Sequence, residues 1–442
     1  MWKLEEKKMK TFSCTIQKKV YQPPVMNNAK KIAFIFSRLL NRFFSTFSVG
    51  YHAKVINFVH YKQDVDRKWK EAYNQPFTHF SPVDKLGITG GMRLITQSGK
   101  KKRIFFSTVL TAYHHHYRDL KRRKRNKIFI MDHLIEAINR LKKEKNALIM
   151  GHYYQRSEIQ DIADYIGDSL ALAQQAAKTT ADIIVMCGVH FMGETAKVLC
   201  PEKKVLVPDM AAGCSLADSC PADKFGQFVK EHPGYTVISY VNTTAAVKAL
   251  TDVVVTSTNA RQIVESFPQD EKIIFGPDRN LGNYINSVTG RNMLVWDGAC
   301  HVHEQFSVEK MVEIKKQHPQ AVILAHPECK GAVLKLADVV GSTAALLKYA
   351  VAHPEKEYIV ATEAGILHEM RKKCPQTTFI PAPPMDSTCG CNECNFMRLN
   401  TLEKLYNCLK DETPEITVDP AVTEKAVRPI KRMLELSAQL GL

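Results

Sequence analysis

The stretch NALIMGHYY (146–154) runs four apolar residues, Ala147 to Met150, into Gly151 and stops on His152, Tyr153 and Tyr154. A short continuous apolar run ending in polar groups reads as a buried strand of a parallel sheet, with its polar end facing a ligand. The pattern returns as GYTVISYVN (234–242) and QAVILAHPE (320–328), with starts 88 and then 86 residues apart. A second strand type recurs as ADIIVMCGVH (181–190), TDVVVTSTNA (251–260) and ADVVGSTAAL (337–346). A third recurs as KKVLVPD (203–209), EKIIFGPD (271–278) and KEYIVATE (356–363). Helical segments alternate with these runs, so the expected fold is α/β, three copies of one unit with parallel sheets. The expected units are 131–212, 213–298 and 299–442, the last with extra C-terminal helices. Ahead of the first strand, MDHLIEAINRLKKEKN (131–146) predicts a helix with Leu134, Ile135, Ile138 and Leu141 on one face.

Charge separates the rest of the chain from this repeat. The 442 residues carry 61 Lys and Arg against 45 Asp and Glu, a formal charge of +16. Residues 1–130 hold 28 of the basic and only 7 of the acidic residues, so 131–442 is slightly acidic. That balance removes nucleic acid and anionic membrane as expected partners of the repeat. The basic segment is expected to be poorly ordered, or not native because translation starts later; a basic binding arm or targeting segment is the other reading. No stretch approaches the ~20 apolar residues of a membrane-spanning helix. Cys14 alone precedes residue 131 and eleven cysteines follow. An odd set in a chain of this length points to core thiols plus a metal or cluster in a reducing compartment, hence a cytoplasmic protein.

Polar residues stand where the strands end: His152 and Tyr154, Tyr240 and Asn242, His326 and Glu328 after the first type. His190, Ser257, and Ser342 with Thr343 follow the second. A polar residue often merely closes an apolar run, but its recurrence in three units favours one shared site. Hydroxyls, an amide and imidazoles suit a small substrate bearing carboxylate or phosphate. In GDSLALAQQAA (167–177), Ser169 opens a helix whose free N–H groups favour an anion; taken alone, capping by Asp168 or Ser169 accounts for it.

The cysteines follow the same period, in loop-like segments expected after the third strand of each unit. Cys214 and Cys220 lie in AAGCSLADSCP, Cys300 in WDGACHVHE, and Cys389, Cys391 and Cys394 in STCGCNECNFM. Cys214 to Cys300 spans 86 residues and Cys300 to Cys394 spans 94. One cysteine per unit would set three thiolates around one centre. Such a set suits zinc with an open position, or an iron–sulfur cluster with one iron left free. The local Cys-x-Cys-x-x-Cys could equally supply most of a zinc site by itself. Cys187, Cys200, Cys329, Cys374 and Cys408 read as core thiols.

Taken together, GHYYQRSEIQDIADYIGDSL, CGVHFMGETAKVL, AGCSLADSCP, FGPDRNLGNYI, WDGACHVHE, AHPEC, VGSTAALLKYA, IVATEAGILHEM and CNECNFMRLNTLEKLY closely resemble the quinolinate synthase family, from about residue 131 to the end. The resemblance implies three similar three-layer α/β/α domains about a pseudo-threefold axis, with the active site at the centre. It implies a transferase of NAD biosynthesis that condenses iminoaspartate with dihydroxyacetone phosphate to quinolinate, releasing phosphate and water. It implies a [4Fe–4S] cluster on Cys214, Cys300 and Cys394, and a hand-over of substrate from the enzyme that makes iminoaspartate. The family's substrate contacts fall on His152, Tyr154, Ser169, Tyr240, Asn242, Ser257, His303, His326, Glu328, Ser342 and Thr343. Glu328 with His326, and then Tyr154 and Tyr240, are the expected proton-transfer groups. Cys389 and Cys391 are then either bystanders or an oxidisable pair that disturbs the Cys394 loop. An iron–sulfur hydro-lyase for another small acid, and a zinc- or nucleic-acid-binding protein, are the competing readings.

Overall fold

In the computed structural model the described residues are 130–442, except 355 and 387–391. The basic segment before residue 130 and the pair Cys389 and Cys391 therefore lie outside the described residues.

Three four-stranded sheets, all parallel, repeat one topology. The first holds β1 (Ala147–His152), β2 (Tyr165–Gly167), β3 (Ile183–Cys187) and β4 (Lys204–Leu206), in the order β2-β1-β3-β4. The second holds β5 (Thr236–Tyr240), β6 (Val253–Val255), β7 (Ile273–Gly276) and β8 (Leu294–Val295), in the order β6-β5-β7-β8. The third holds β9 (Val322–Ala325), β10 (Val339–Val340), β11 (Tyr358–Ala361) and β12 (Phe379–Pro381), in the order β10-β9-β11-β12. Helices between the strands cover the sheets, giving three α/β/α units. The central strands β3, β7 and β11 are buried throughout, as a sheet covered on both faces requires.

The first strand type is placed as its sequence predicts, at β1, β5 and β9. The other two types need correcting in the first unit. The equivalent of β6 and β10 is β2, so DYIGDS (164–169) aligns with DVVVTS (252–257) and DVVGST (338–343). ADIIVMC instead forms β3, the partner of β7 and β11, and KKVL forms the fourth strand. The physical reason is that β2 is an edge strand, only partly buried, and lacks the apolar run that β3 shows. His190 consequently stands outside the repeat, opening the helix His190–Leu199, and Ser169 takes the position assigned to it.

The corrected register exposes a repeated clamp. Asp164, Asp252 and Asp338 each accept a bond at Oδ2 from the N–H of Ile149, Val237 and Ile323, at 2.9, 2.8 and 2.8 Å. Each also donates its own N–H to the carbonyl of that same residue. One aspartate thus fixes where the second strand begins to pair with the first in every unit.

Three outer helices complete this core. The helix over 130–144 and the helix Leu402–Asp411 pack Ile138, Leu405 and Leu409 with Ile149 and Val185 of the first sheet; Leu134, Ile135 and Leu141 pack against the same cluster. The helix Pro420–Gln439 starts on Asp419, whose side chain accepts the N–H groups of Ala421 and Val422, with Pro420 inside the first turn. It buries Ala426, Ile430 and Met433 in the largest core cluster, which draws on both the first and second units. Among the described residues no helix is long and apolar enough to cross a membrane.

Candidate active site

The carboxyl ends of β1, β5 and β9 build the same corner three times. The first position holds His152, Tyr240 and His326; two residues on stand Tyr154, Asn242 and Glu328. In two units the histidine closes the turn itself: His152 Nδ1 accepts the Tyr154 N–H at 3.2 Å, and His326 Nδ1 accepts the Glu328 N–H at 3.3 Å. Each ring is thereby oriented with its other nitrogen carrying the proton. Burial lowers both imidazoles to about 3, so they are neutral.

Glu328 is the hub, and it is 3% exposed. Its Oε1 accepts the Tyr240 hydroxyl at 2.6 Å, from the second unit to the third. Its Oε2 lies 3.2 Å from His303 Nδ1, and His303 stacks on His326 with ring centroids 4.8 Å apart. Burial opposes ionisation, but the facing imidazoles and the Tyr240 hydroxyl outweigh it and hold the carboxyl below its ordinary range. Tyr154 reaches from the first unit to the Oγ1 atoms of Thr343 and Thr362, at 2.7 Å each. His303 Nε2 meets the same Thr362 Oγ1 at 3.0 Å. Burial first, and the Glu328 charge next, raise both tyrosines well above the ordinary phenol range, so they remain hydroxyls.

A second junction joins all three units. Thr258 Oγ1 bonds Asp168 Oδ2 at 2.7 Å and Ser342 Oγ at 2.8 Å. Asp168 and Ser342 also cap the helices that start at Ser169 and Thr343. Ser169 is half-buried and lines a small, mainly apolar pocket with Leu172, Phe191 and Val241. Ser257 is half-buried beside this junction. Asn242 Oδ1 is buried without a hydrogen-bond partner, which leaves it an acceptor in search of a donor. Thr258 and Thr362 are site residues that the sequence reading missed; Thr362 lies within the quoted IVATEAG, one residue beyond β11.

The cysteines also need one correction. Cys214, Cys300 and Cys394 follow β4, β8 and β12, the fourth strand of each unit, not the third. All nine described cysteines are free thiols. Cys220 is fully buried with Phe225 and takes no part in the site. Burial raises the Cys214 thiol to about 12 and pushes Cys300 and Cys394 up, and the three lie close enough for Cys300 to feel the charge of both others. Nearby backbone N–H groups work against burial in each case, those of Leu216 and Ala217 at Cys214, His303 at Cys300, and Phe396 and Met397 at Cys394. Partly buried thiols with backbone N–H groups nearby suit thiolates neutralised by a metal group.

Zinc and a cluster make different demands on spacing. Among the described residues, the side chains that bring three such ligand atoms within 4.8 Å of one another are Cys300, His303 and Glu328, and the three thiols are not such a set. One tetrahedral zinc needs sulfurs about 3.8 Å apart. A cluster, whose irons each take one cysteine, accepts thiols set wider apart than that.

The third corner has its own brace. Glu363, 1% exposed, accepts the Cys394 N–H at 3.0 Å and Arg398 Nη2 at 3.2 Å on Oε1, and the Gly365 N–H at 2.6 Å on Oε2. Burial raises the Glu363 carboxyl to about 7, against the Arg398 guanidinium and the Cys394 and Gly365 N–H groups, which pull it down.

Three thiols at the meeting point of three α/β units, beside an ionised glutamate and two tyrosine hydroxyls, define an enzyme of the α/β class with a candidate metal centre. Residues 136–435 match the family model described as quinolinate synthetase A protein. The quinolinate synthase of Microcystis aeruginosa is 56% identical over 312 residues, covering 71% of this chain and 98% of the relative. That of Thermosynechococcus vestitus is 57% identical over 304 residues, covering 69% and 95%. That of Chloroherpeton thalassium is 56% identical over 304 residues, covering 69% and 94%. The chain belongs to the quinolinate synthetase A protein family.

Proposed function

We propose that the protein is a quinolinate synthase, a cytoplasmic transferase of NAD biosynthesis that condenses iminoaspartate with dihydroxyacetone phosphate and releases phosphate and water. The observation that carries this reading is the convergence of one thiol from each unit beside the Glu328, Tyr240 and His303 network. In this reading Cys214, Cys300 and Cys394 hold a [4Fe–4S] cluster. When bound, the cluster supplies an iron with an open position, a Lewis acid toward a hydroxyl or carbonyl oxygen.

The chain's own groups divide the remaining work. His152, Ser169, Asn242, Ser257, Ser342 and Thr343 hold the substrates' carboxylates and phosphate through neutral donors. Asn242 turns its side chain so that its amide donates while its unpartnered oxygen accepts. Glu328 takes and returns protons at Oε2, and Tyr240 hands a proton to and from Oε1. His326 orients Glu328 through the backbone turn, and Thr362 holds Tyr154 and His303 in register. Burial of this network excludes water from an imine that would otherwise hydrolyse. Iminoaspartate is short-lived for the same reason, which favours its hand-over from the enzyme that makes it.

The test is anaerobic purification, iron and sulfide analysis, and an assay with iminoaspartate generated in place. Quinolinate and phosphate should form in equal amounts. A fully loaded protein that forms no quinolinate from these substrates overturns the reading.

A further inference from the structure

Cys300 belongs to two constellations at once. It is one corner of the thiol triangle, and its sulfur also lies with a His303 ring nitrogen and a Glu328 carboxylate oxygen, all within 4.8 Å of one another. We propose that Cys300, His303 and Glu328 form a second, mononuclear metal site. It takes one zinc-class dication when Cys300 is not committed to a cluster, so the two metal groups exclude each other. The exclusion rests on the cluster assignment made above; the binding does not.

Four observations carry the site. The donor set, one thiolate, one imidazole and one carboxylate, is a borderline-soft set that zinc accepts, with a fourth position left open. His303 Nδ1 is buried without a well-aligned hydrogen bond, and Glu328 Oε2 lies 3.2 Å from it, so two ligand-type atoms face each other at short range. An outer contact that a metal histidine needs is in place: His303 Nε2 sits 3.0 Å from Thr362 Oγ1, an oxygen that can accept the Nε2 proton when Nδ1 binds a metal. Tyr240 likewise holds Glu328 Oε1 at 2.6 Å and leaves Oε2 facing the other two ligands.

Charge and geometry agree. A dication with one thiolate and one carboxylate is neutral, as a buried site requires. Binding forms metal–sulfur, metal–nitrogen and metal–oxygen bonds and releases the Cys300 proton to solvent; nothing is oxidised or reduced. Tetrahedral zinc sets such ligand atoms about 3.4–3.8 Å apart, so closure takes a movement of about 1 Å. Cys214 and Cys394 are not needed.

The full chain, purified without its cluster, is titrated with Co2+, which takes zinc sites and reports thiolate ligation by a charge-transfer band. One Co2+ per chain should bind, with that band, and Zn2+ should displace it. Cys300→Ser and His303→Ala should weaken binding at least tenfold, with folding checked by circular dichroism. Thr362→Val, which touches no metal, should weaken it about tenfold. Cys214→Ser and Cys394→Ser should bind as the unaltered chain does. Zn2+ added first should block rebuilding of the cluster from iron and sulfide. Loss of the band in Cys394→Ser, or its persistence at full affinity in His303→Ala, overturns the site. Binding as predicted in a chain that accepts no iron and sulfide even without zinc would keep the site and remove the cluster reading and, with it, the exclusion.

Discussion

At Glu328, burial alone would leave a neutral carboxylic acid; a hydroxyl and two imidazoles within reach reverse that. The expected consequence is that Glu328→Gln, which keeps shape and loses the proton acceptor, lowers turnover by roughly 10²–10⁴-fold. Steady-state kinetics with cluster content measured in parallel checks this, and near-normal turnover in that variant would remove Glu328 from proton transfer. Glu363 acts differently, through the main chain of Cys394 and through Arg398. Glu363→Ala should therefore lower iron bound per chain, whereas Glu363→Gln, which keeps an acceptor for the Cys394 N–H, should retain more of it. Equal iron in the two variants would show that the contact does not position the cysteine. At this scale the sequence is legible where chemistry follows local spacing. His152 with Tyr154, Tyr240 with Asn242, and His326 with Glu328 are visible because each pair closes one strand. Thr258, Thr362, Glu363 and Arg398 are not, since their partners lie in other units or loops far away in the chain, as with Tyr154 and Thr362. His303 enters by family resemblance and not by spacing.

At the scale of elements, the aspartate clamp is what the sequence reading lacked. Apolar runs locate the central strands, but β2 is a partly buried edge whose only firm signal is the aspartate that fixes its start. Once Asp164, Asp252 and Asp338 are aligned, the period of 88 and 86 residues reappears in a second, independent feature. Asp252→Ala should destabilise the chain by about 1–3 kcal/mol, because the Val237 N–H loses its acceptor inside the sheet. Urea unfolding measures this.

The short helix Ala245–Lys248 offers a test through pH. Lys248 is fully buried, donates to the carbonyls of Val241 and Thr243, and is lowered by burial to about 8. Its unfolded value is about 10.4, so between these limits the unfolded state binds more protons and this lysine's contribution to stability rises with pH. Below pH 8 its penalty is constant. The stability difference between the unaltered chain and Lys248→Met should shift toward the unaltered chain by about 2 kcal/mol from pH 8 to pH 10. A difference independent of pH would mean that the ammonium is not held as described.

At the scale of the molecule, no single unit contains the site. The first supplies Tyr154 and His152, the second Tyr240 and Asn242, and the third Glu328, so the site exists only when three sheets present their carboxyl ends together. The repeat made that architecture legible, because three copies of one strand-and-loop pattern have one way to share a centre. The local motif around Cys389, Cys391 and Cys394 pointed elsewhere; the mutual influence of Cys214, Cys300 and Cys394, one after each sheet, supports the shared cluster proposed above. The most direct test is iron and acid-labile sulfide analysis of the anaerobically purified chain beside its Cys214→Ser, Cys300→Ser and Cys394→Ser variants. About four irons and four sulfides per chain are predicted for the unaltered protein, with loss in each variant. A full cluster in any one of the three variants, or zinc alone in the unaltered chain, would contradict the account.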